Sequence, residues 1–147
     1  MENGTHGRVW YTDKPNNIAF SCFVRSDCSL KQIEGITLKI ANLIKEVFQE
    51  LYDITLEIKL PNDIVYHNKK IGGILVETKV SGNRVKYMVI GIGINTNQET
   101  FNEELQQIAS SLYREFNKII DNHQVMKRFF EMLEQELLQR KLFVTKI

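Results

Sequence analysis

Residues 59–97 read KLPNDIVYHNKKIGGILVETKVSGNRVKYMVIGIGINTN, and the fold follows from how this stretch alternates. Short apolar runs rich in Val and Ile, at residues 64–66, 71–76 and 85–94, are separated by clusters of Pro, Asn, Asp, Gly and Lys. β-Branched residues suit the pleated, half-buried surface of a sheet, and the separating residues are those that make tight turns. The stretch therefore predicts three consecutive strands of an antiparallel meander. It also carries the residues with chemical potential: Asn62-Asp63 after Pro61, the Lys69-Lys70 doublet leading into Gly72-Gly73, and Gly91-Ile92-Gly93-Ile94-Asn95.

Outward from the meander, residues 54–59 alternate as a strand, with Ile54, Leu56 and Ile58 on one face. Residues 29–53 place Ile33, Ile36, Ile40, Leu43, Ile44, Val47, Phe48 and Leu51 at helical steps behind a capping Ser29, which predicts one long amphipathic helix. Residues 18–24, IAFSCFV, read as a buried strand. Downstream, residues 101–116 hold two short helical pieces around Ala109-Ser110-Ser111-Leu112, and residues 122–141 carry a second long stripe through Val125, Phe129, Met132, Leu133 and Leu137. The expected fold is α+β: a mixed, mainly antiparallel sheet covered by helices on one face, in a single domain over residues 1–147.

At 147 residues, 43% hydrophobic and 25% charged, the composition is that of an ordinary globular domain. A net charge of +1 argues against a nucleic-acid surface as the main business. Cys22 and Cys28 have no neighbours at metal-ligand spacing, and Cys22 in its apolar run reads as a buried free thiol, which fits a reducing compartment. No apolar run approaches the roughly 20 residues of a membrane span, and the start Met1-Glu2-Asn3-Gly4 has no signal-peptide design. The expected location is cytoplasmic, without a membrane or nucleic-acid partner.

The candidate residues each admit a plain structural reading. Asp63 with Asn62 and Pro61 makes a natural turn, but pairing residues 64–66 with 71–76 returns Lys70 to the level of Asp63. A carboxylate able to hold Mg²⁺ beside a lysine able to neutralise an anion is the minimum for activating an acid with ATP. Gly72-Gly73 within a strand marks a bulge or a close backbone approach, and Gly91-x-Gly93 reads the same way one strand later. Adjacent strands without side chains leave a slot where a flat ligand can lie. Asn95 reaches a phosphate, a metal or a base edge, or simply closes a strand-end turn. Near the N-terminus, Gly4-Thr5-His6-Gly7-Arg8 is either a surface loop or a backbone that approaches an anion held by the Arg8 fork. His6, His67 and His123 show no ligand spacing, and no Ser/His/Asp or Cys/His constellation emerges.

Together these motifs closely resemble the catalytic core of biotin protein ligases. The resemblance rests on Lys59-Leu60-Pro61-Asn62-Asp63, on Lys70-Ile71-Gly72-Gly73-Ile74-Leu75-Val76-Glu77 and on Gly91-Ile92-Gly93-Ile94-Asn95. It extends upstream through Gly4-Thr5-His6-Gly7-Arg8-Val9-Trp10 and downstream to Ala109-Ser110-Ser111-Leu112. It implies a fold of the class II synthetase and biotin ligase type and an enzyme that joins biotin to ATP as biotinyl-5′-AMP, then passes biotin to a lysine of a biotin carboxyl carrier protein.

By the same resemblance Lys70 contacts the biotin carboxylate and acyl-phosphate, Asp63 is tied to Mg²⁺ and the second step, and Asn62 lies beside it. Arg8, a catalytic candidate, and the Asn3-Gly4-Thr5 segment with Gly7 form the loop over the ligand. Gly72, Gly73, Leu75, Gly91 and Gly93 match biotin-floor and backbone positions, while Trp10 and Asn95 match residues near the nucleotide. Leu60 stands where the family usually has Trp, and Thr5-His6 replace the more frequent Arg pair. The family's upstream segment for the ureido end of biotin, its DNA-binding domain and its small C-terminal β-barrel have no counterpart here, so the expectation is a partial catalytic domain. Uncovered strand edges would favour a homo-oligomer. The rival readings are a catalytically inactive remnant that binds or dimerises, and a lipoate-type ligase.

Overall fold

A computed structural model describes residues 2–3, 9–11 and 16–142, with side chains from residue 16 onward. The strands are β1 (Glu2–Asn3), β2 (Val9–Tyr11), β3 (Ile18–Ser29), β4 (Glu57–Lys59), β5 (Asp63–Tyr66), β6 (Lys69–Ser81) and β7 (Arg84–Ile94). The helices are α1 (Ile36–Tyr52), α2 (Glu103–Gln106), α3 (Leu112–Phe116) and α4 (Asn122–Gln139). The strands form one seven-stranded sheet in the order β1-β2-β3-β7-β6-β5-β4, with every neighbouring pair antiparallel. The expected meander is its centre.

Alternation along β7 explains the layering. Met88, Ile90, Ile92 and Ile94 are buried, whereas the residues between them face away from the helices. Ile18, Phe20, Cys22 and Val24 of β3 extend that apolar face, and α1 and α4 lie on it. α1 buries Ile40, Leu43, Ile44, Val47 and Phe48, and α4 buries Val125, Met126, Phe129, Leu133 and Leu137, one face of each helix. Each such side chain contributes about 1.5–3 kcal/mol by leaving water, so this layer is the main source of stability. Phe20 packs its ring 5.0 Å from Phe130 and 6.1 Å from Phe129, which fixes where α4 crosses the sheet. Burial pushes the Cys22 thiol up to about 11, so it behaves as a small core hydrophobe. No helix among the described residues is long and apolar enough to cross a membrane.

Three element boundaries differ from expectation, the first being β3, expected over residues 18–24 but running Ile18–Ser29 with a register shift between Arg25 and Cys28. The helix predicted from Ser29 is divided: Ser29 forms a reciprocal capping box with Gln32 over a short 3-10 turn, Leu30–Ile33. Gly35 then adopts φ 74°, left-handed backbone, and α1 starts only at Ile36. The strand predicted over residues 54–59 pairs only at Glu57–Lys59, because Asp53 ends α1 at φ 55° and the Ile54 N–H returns to the Phe48 carbonyl. Ile54 and Leu56 are nevertheless buried, as their alternation requires.

Candidate active site

The face of the sheet away from α1 and α4 is where the candidate residues meet. Strand register sets Ala19, Gly93, Gly73, Asp63 and Lys59 in one row across β3, β7, β6, β5 and β4. Ser21, Gly91 and Leu75 form the next row on the same face. Strands lie about 4.8 Å apart, so the small residues of β3, β7 and β6 leave a shallow slot about 10 Å wide. Leu75 stands at its rim, 57% exposed. Register thus gathers the expected small residues on one face.

Its glycines have different causes. A Cβ on Gly72 would lie 2.5 Å from the Gly93 carbonyl oxygen, so Gly72 is there for close backbone approach, as expected. A Cβ on Gly73 would touch Lys70 Cε at 3.4 Å and Nζ at 3.5 Å, so the lysine folds back across it. Gly93 departs from expectation: among the described residues a Cβ there would meet nothing within 4 Å, and Gly91's would make only ordinary contact with the Leu75 carbonyl at 3.7 Å. Neither marks a bulge or a close approach, and packing among the described residues gives no reason for Gly93.

A bulge aims the lysine. Ile64 pairs with Gly72 and Val65 with Lys70, which leaves Ile71 as the extra residue. The phase of β6 shifts there, so Ile71 is buried while Lys70, Gly73 and Leu75 share the open face. Lys70 Nζ then stands 3.4 Å from Asp63 Oδ1, with the two side chains 54% and 32% exposed. The pair is open enough for an incoming anion to take the ammonium from the carboxylate.

The backbone of Lys70 lies beyond the end of β7, and a loop strand takes that place. The Lys70 N–H donates to the Ile108 carbonyl (2.8 Å), its carbonyl accepts from Ser110 N–H (3.0 Å), and the two segments form a parallel bridge at Ala109. Asn95 secures the same loop: its Nδ2 donates to the Ser110 carbonyl (3.2 Å), while its Oδ1 accepts from Asn17 Nδ2 (3.4 Å). The strand-end role of Asn95 is thus visible in its own hydrogen bonds. Asn62 contributes its carbonyl to the Ile74 N–H (3.0 Å). Leu60 is 68% exposed beside the slot's acidic end.

A slot floored by glycine, ending in an accessible lysine–aspartate pair, is matched at the level of whole sequences. The profile of the Biotin/lipoate A/B protein ligase family covers residues 2–95. This chain belongs to that family. Among its curated relatives, the bifunctional ligase/repressor BirA of Bacillus subtilis (strain 168) is 35% identical over 134 residues, covering 90% of this chain and 41% of the relative. A biotin protein ligase from Aquifex aeolicus superposes with a TM-score of 0.74 at 26% identity, over 95% of this chain and 62% of that one. The same organism's enzyme in complex with biotin and ATP gives 0.68 at 27% identity, over 84% and 51%. The chain thus spans between 41% and 62% of the length of these relatives.

For this family member, Lys70, Asp63, Gly73, Leu75, Gly91 and Gly93 come together on one face, Gly72 sits in the backbone beneath them, and Asn62 enters only through its backbone carbonyl in the turn before β5. Trp10 is placed by register opposite Ser21, and Asn3 opposite Val9, with no side chain described for either. Gly4, Thr5, Gly7 and Arg8 lie outside the described residues. Sequence reasoning missed Glu115, whose Oε2 accepts from the buried Ser110 hydroxyl at 2.5 Å. The signal was the serine doublet: Ser111 caps α3, which leaves Ser110 needing another partner. Among the described residues no cluster of His, Cys, Asp and Glu forms a self-sufficient metal site.

Proposed function

We propose that this chain is the catalytic core of a biotin–protein ligase. The observation that carries the reading is the open slot over Gly91 and Gly93, unexplained by packing, with the Lys70–Asp63 pair at its end. A flat fused ring suits such a floor, and a carboxylate at the end of its side chain would reach the ammonium. In the first step a carboxylate oxygen of biotin attacks the α-phosphorus of ATP and pyrophosphate leaves. Lys70 lowers the repulsion between the two anions and holds the developing charge. In the second step the ε-amine of a lysine on the carrier attacks the acyl carbon, the amine loses a proton, and AMP departs.

Mg²⁺ is usually held by a carboxylate together with substrate phosphates, and Asp63 would be that carboxylate, with Lys70 turned to the substrate. Bound there, the ion would neutralise phosphate charge. Arg8 with Asn3, Gly4, Thr5 and Gly7 would close over the ligand, and Trp10 and Asn95 would border the nucleotide. The partner would be the biotin carboxyl carrier protein of acetyl-CoA carboxylase, in the cytoplasm, where the free buried Cys22 and Cys28 remain reduced. Paired strand edges would support a homo-oligomer.

Lipoate is the rival substrate, because the family spans both acids. Both acids carry a ring on a flexible acid chain, but lipoate has a single five-membered dithiolane where biotin has a larger fused pair of rings, and the wider bare floor favours biotin. Pyrophosphate release by the intact protein, with ATP, Mg²⁺ and either acid, separates them. Release with biotin and not with lipoate is expected. The opposite preference would transfer the assignment to lipoate, and release with neither would leave a binding module.

A further inference from the structure

Among the described residues Asp63 is the ion-pair partner of the Lys70 ammonium, and the aim of the side chain follows from the position of its backbone. That backbone is clamped from β5 by Val65 and from the other side by residues 108–110, since β7 has already ended at Ile94. The position of this loop strand therefore becomes the position of the lysine. α2 supports its start, through Ile108 and Ala109 N–H groups donating to the Leu105 carbonyl (3.0 and 2.8 Å). Asn95 holds the Ser110 carbonyl. The remaining tie is Glu115, one turn into α3, whose carboxylate accepts from Ser110 Oγ at 2.5 Å.

What sets Glu115 apart is its acceptor role: Glu50, Glu131 and Glu136 pair with arginines, whereas Glu115 gives its carboxylate to the hydroxyl of Ser110, a buried residue. A charged acceptor makes a short, strong hydrogen bond, and at a buried hydroxyl it also removes a desolvation penalty. The neighbouring Ser111 is engaged separately, donating to the Gln98 carbonyl (2.5 Å) and accepting from the Arg114 N–H (3.2 Å) as the cap of α3. The two serines thus divide the work: Ser111 ties the loop to α3 and Ser110 ties it to Lys70.

We infer that Glu115 is a positioning residue for Lys70, acting through Ser110 and the parallel bridge at Ala109. This rests on the ligase reading for what Lys70 does, but not for whether Glu115 holds it. A misplacement of about 1 Å in a group that orients reactants can cost on the order of 100-fold in rate, so a second carboxylate behind the lysine is a substantial device.

The test compares Glu115→Ala, Glu115→Gln and Ser110→Ala with wild type in the intact protein. Residue-resolved amide exchange is read at Lys70 and Ser110 against core amides of β7, beside biotin-dependent pyrophosphate release. Glu115→Ala and Ser110→Ala are expected to speed exchange at Lys70 and Ser110 by about tenfold or more without moving the core amides. They should lower kcat for pyrophosphate release by about tenfold or more, with KM for biotin within about threefold of wild type. Glu115→Gln keeps an oxygen acceptor for Ser110 and should restore both readouts to within about threefold. Unchanged exchange at Lys70, faster exchange everywhere, or an unchanged kcat in Glu115→Ala would each overturn the inference, as would Gln behaving like Ala. If wild type releases no pyrophosphate, the ligase reading falls, and the exchange comparison alone decides whether Glu115 holds Lys70.

Discussion

One strand, β7, serves two faces that obey opposite rules. Met88, Ile90, Ile92 and Ile94 fill the inner face under α1 and α4, while Gly91 and Gly93 leave the outer face bare. On the inner face a side chain is kept for what it touches. On the outer face it is missing because of what must fit. If that division is right, changes on the inner face should alter stability without altering chemistry, and changes on the outer face should do the reverse. The largest effect belongs inside: Phe48, fully buried in α1, should cost about 3–5 kcal/mol on substitution by Ala. Denaturant unfolding measures it, and a loss below about 1 kcal/mol would mean that the helices do not cover the sheet as described.

Outside, the largest effect should be Lys70→Ala. Removing one charge aimed at developing negative charge costs about 2.7–4 kcal/mol in the barrier, or roughly 100- to 1,000-fold in adenylate formation. Unfolding should move by less than about 0.5 kcal/mol, because the lysine is more than half exposed. Lys69→Ala should be mild in both assays, and the division of faces breaks if the two lysines prove equivalent.

The inner face also has a pH signature. The Cys22 thiol is held up to about 11 by burial, above its ordinary value of 9.0. Between those values the folded protein keeps a proton that the unfolded chain has lost, so stability should fall as pH rises from 9.0 to about 11. The slope from this group is about 1.4 kcal/mol per pH unit, and at neutral pH it contributes none. Cys22→Ala should remove that part of the decline in an unfolding series against pH, whereas Cys22→Ala with an unaltered slope would show that the thiol is reached by water.

Much of this division was legible in residue order. The stripes of α1 and α4 and the alternation of β7 predict which residues turn inward, because burial has the period of the element. The bracket of Asp63 and Lys70 follows from pairing one hairpin. What was hidden depends on geometry that no spacing encodes. Ser29 reads as the start of the long helix, yet its capping box closes a separate turn and Gly35 intervenes. The hairpin singles out Lys70, but the bulge at Ile71 that turns it to the open face is announced by no spacing. Glu115 resembles any solvated charge until α3 is seen to turn it back on Ser110.

The sharpest break in the comparison lies between Gly72 and Gly93, which look alike in the sequence and sit on neighbouring strands. A methyl on Gly72 would press to 2.5 Å of the Gly93 carbonyl, a backbone atom that cannot rotate aside, so Gly72→Ala must move β6 against β7. Overpacking of that kind costs about 1–3 kcal/mol. Among the described residues a methyl on Gly93 would meet no atom within 4 Å, and its φ lies outside the left-handed region, so alanine fits the backbone as it stands. Glycine to alanine without strain stabilises by about 0.4–1 kcal/mol, chiefly by restricting the unfolded chain. The expected effect on folding is therefore the smallest here and of opposite sign to that of Gly72→Ala. The same methyl would rise from the floor of the slot, where a flat ligand needs contact, and should weaken biotin binding by about tenfold or more, equivalent to at least about 1.4 kcal/mol. Thermal melting and isothermal titration with biotin on the same two variants read both quantities. If Gly93→Ala melts lower by as much as Gly72→Ala, that position is packed and the slot is not empty. If it melts as high as wild type and binds biotin equally well, the bare outer face of β7 is not where the ligand lies.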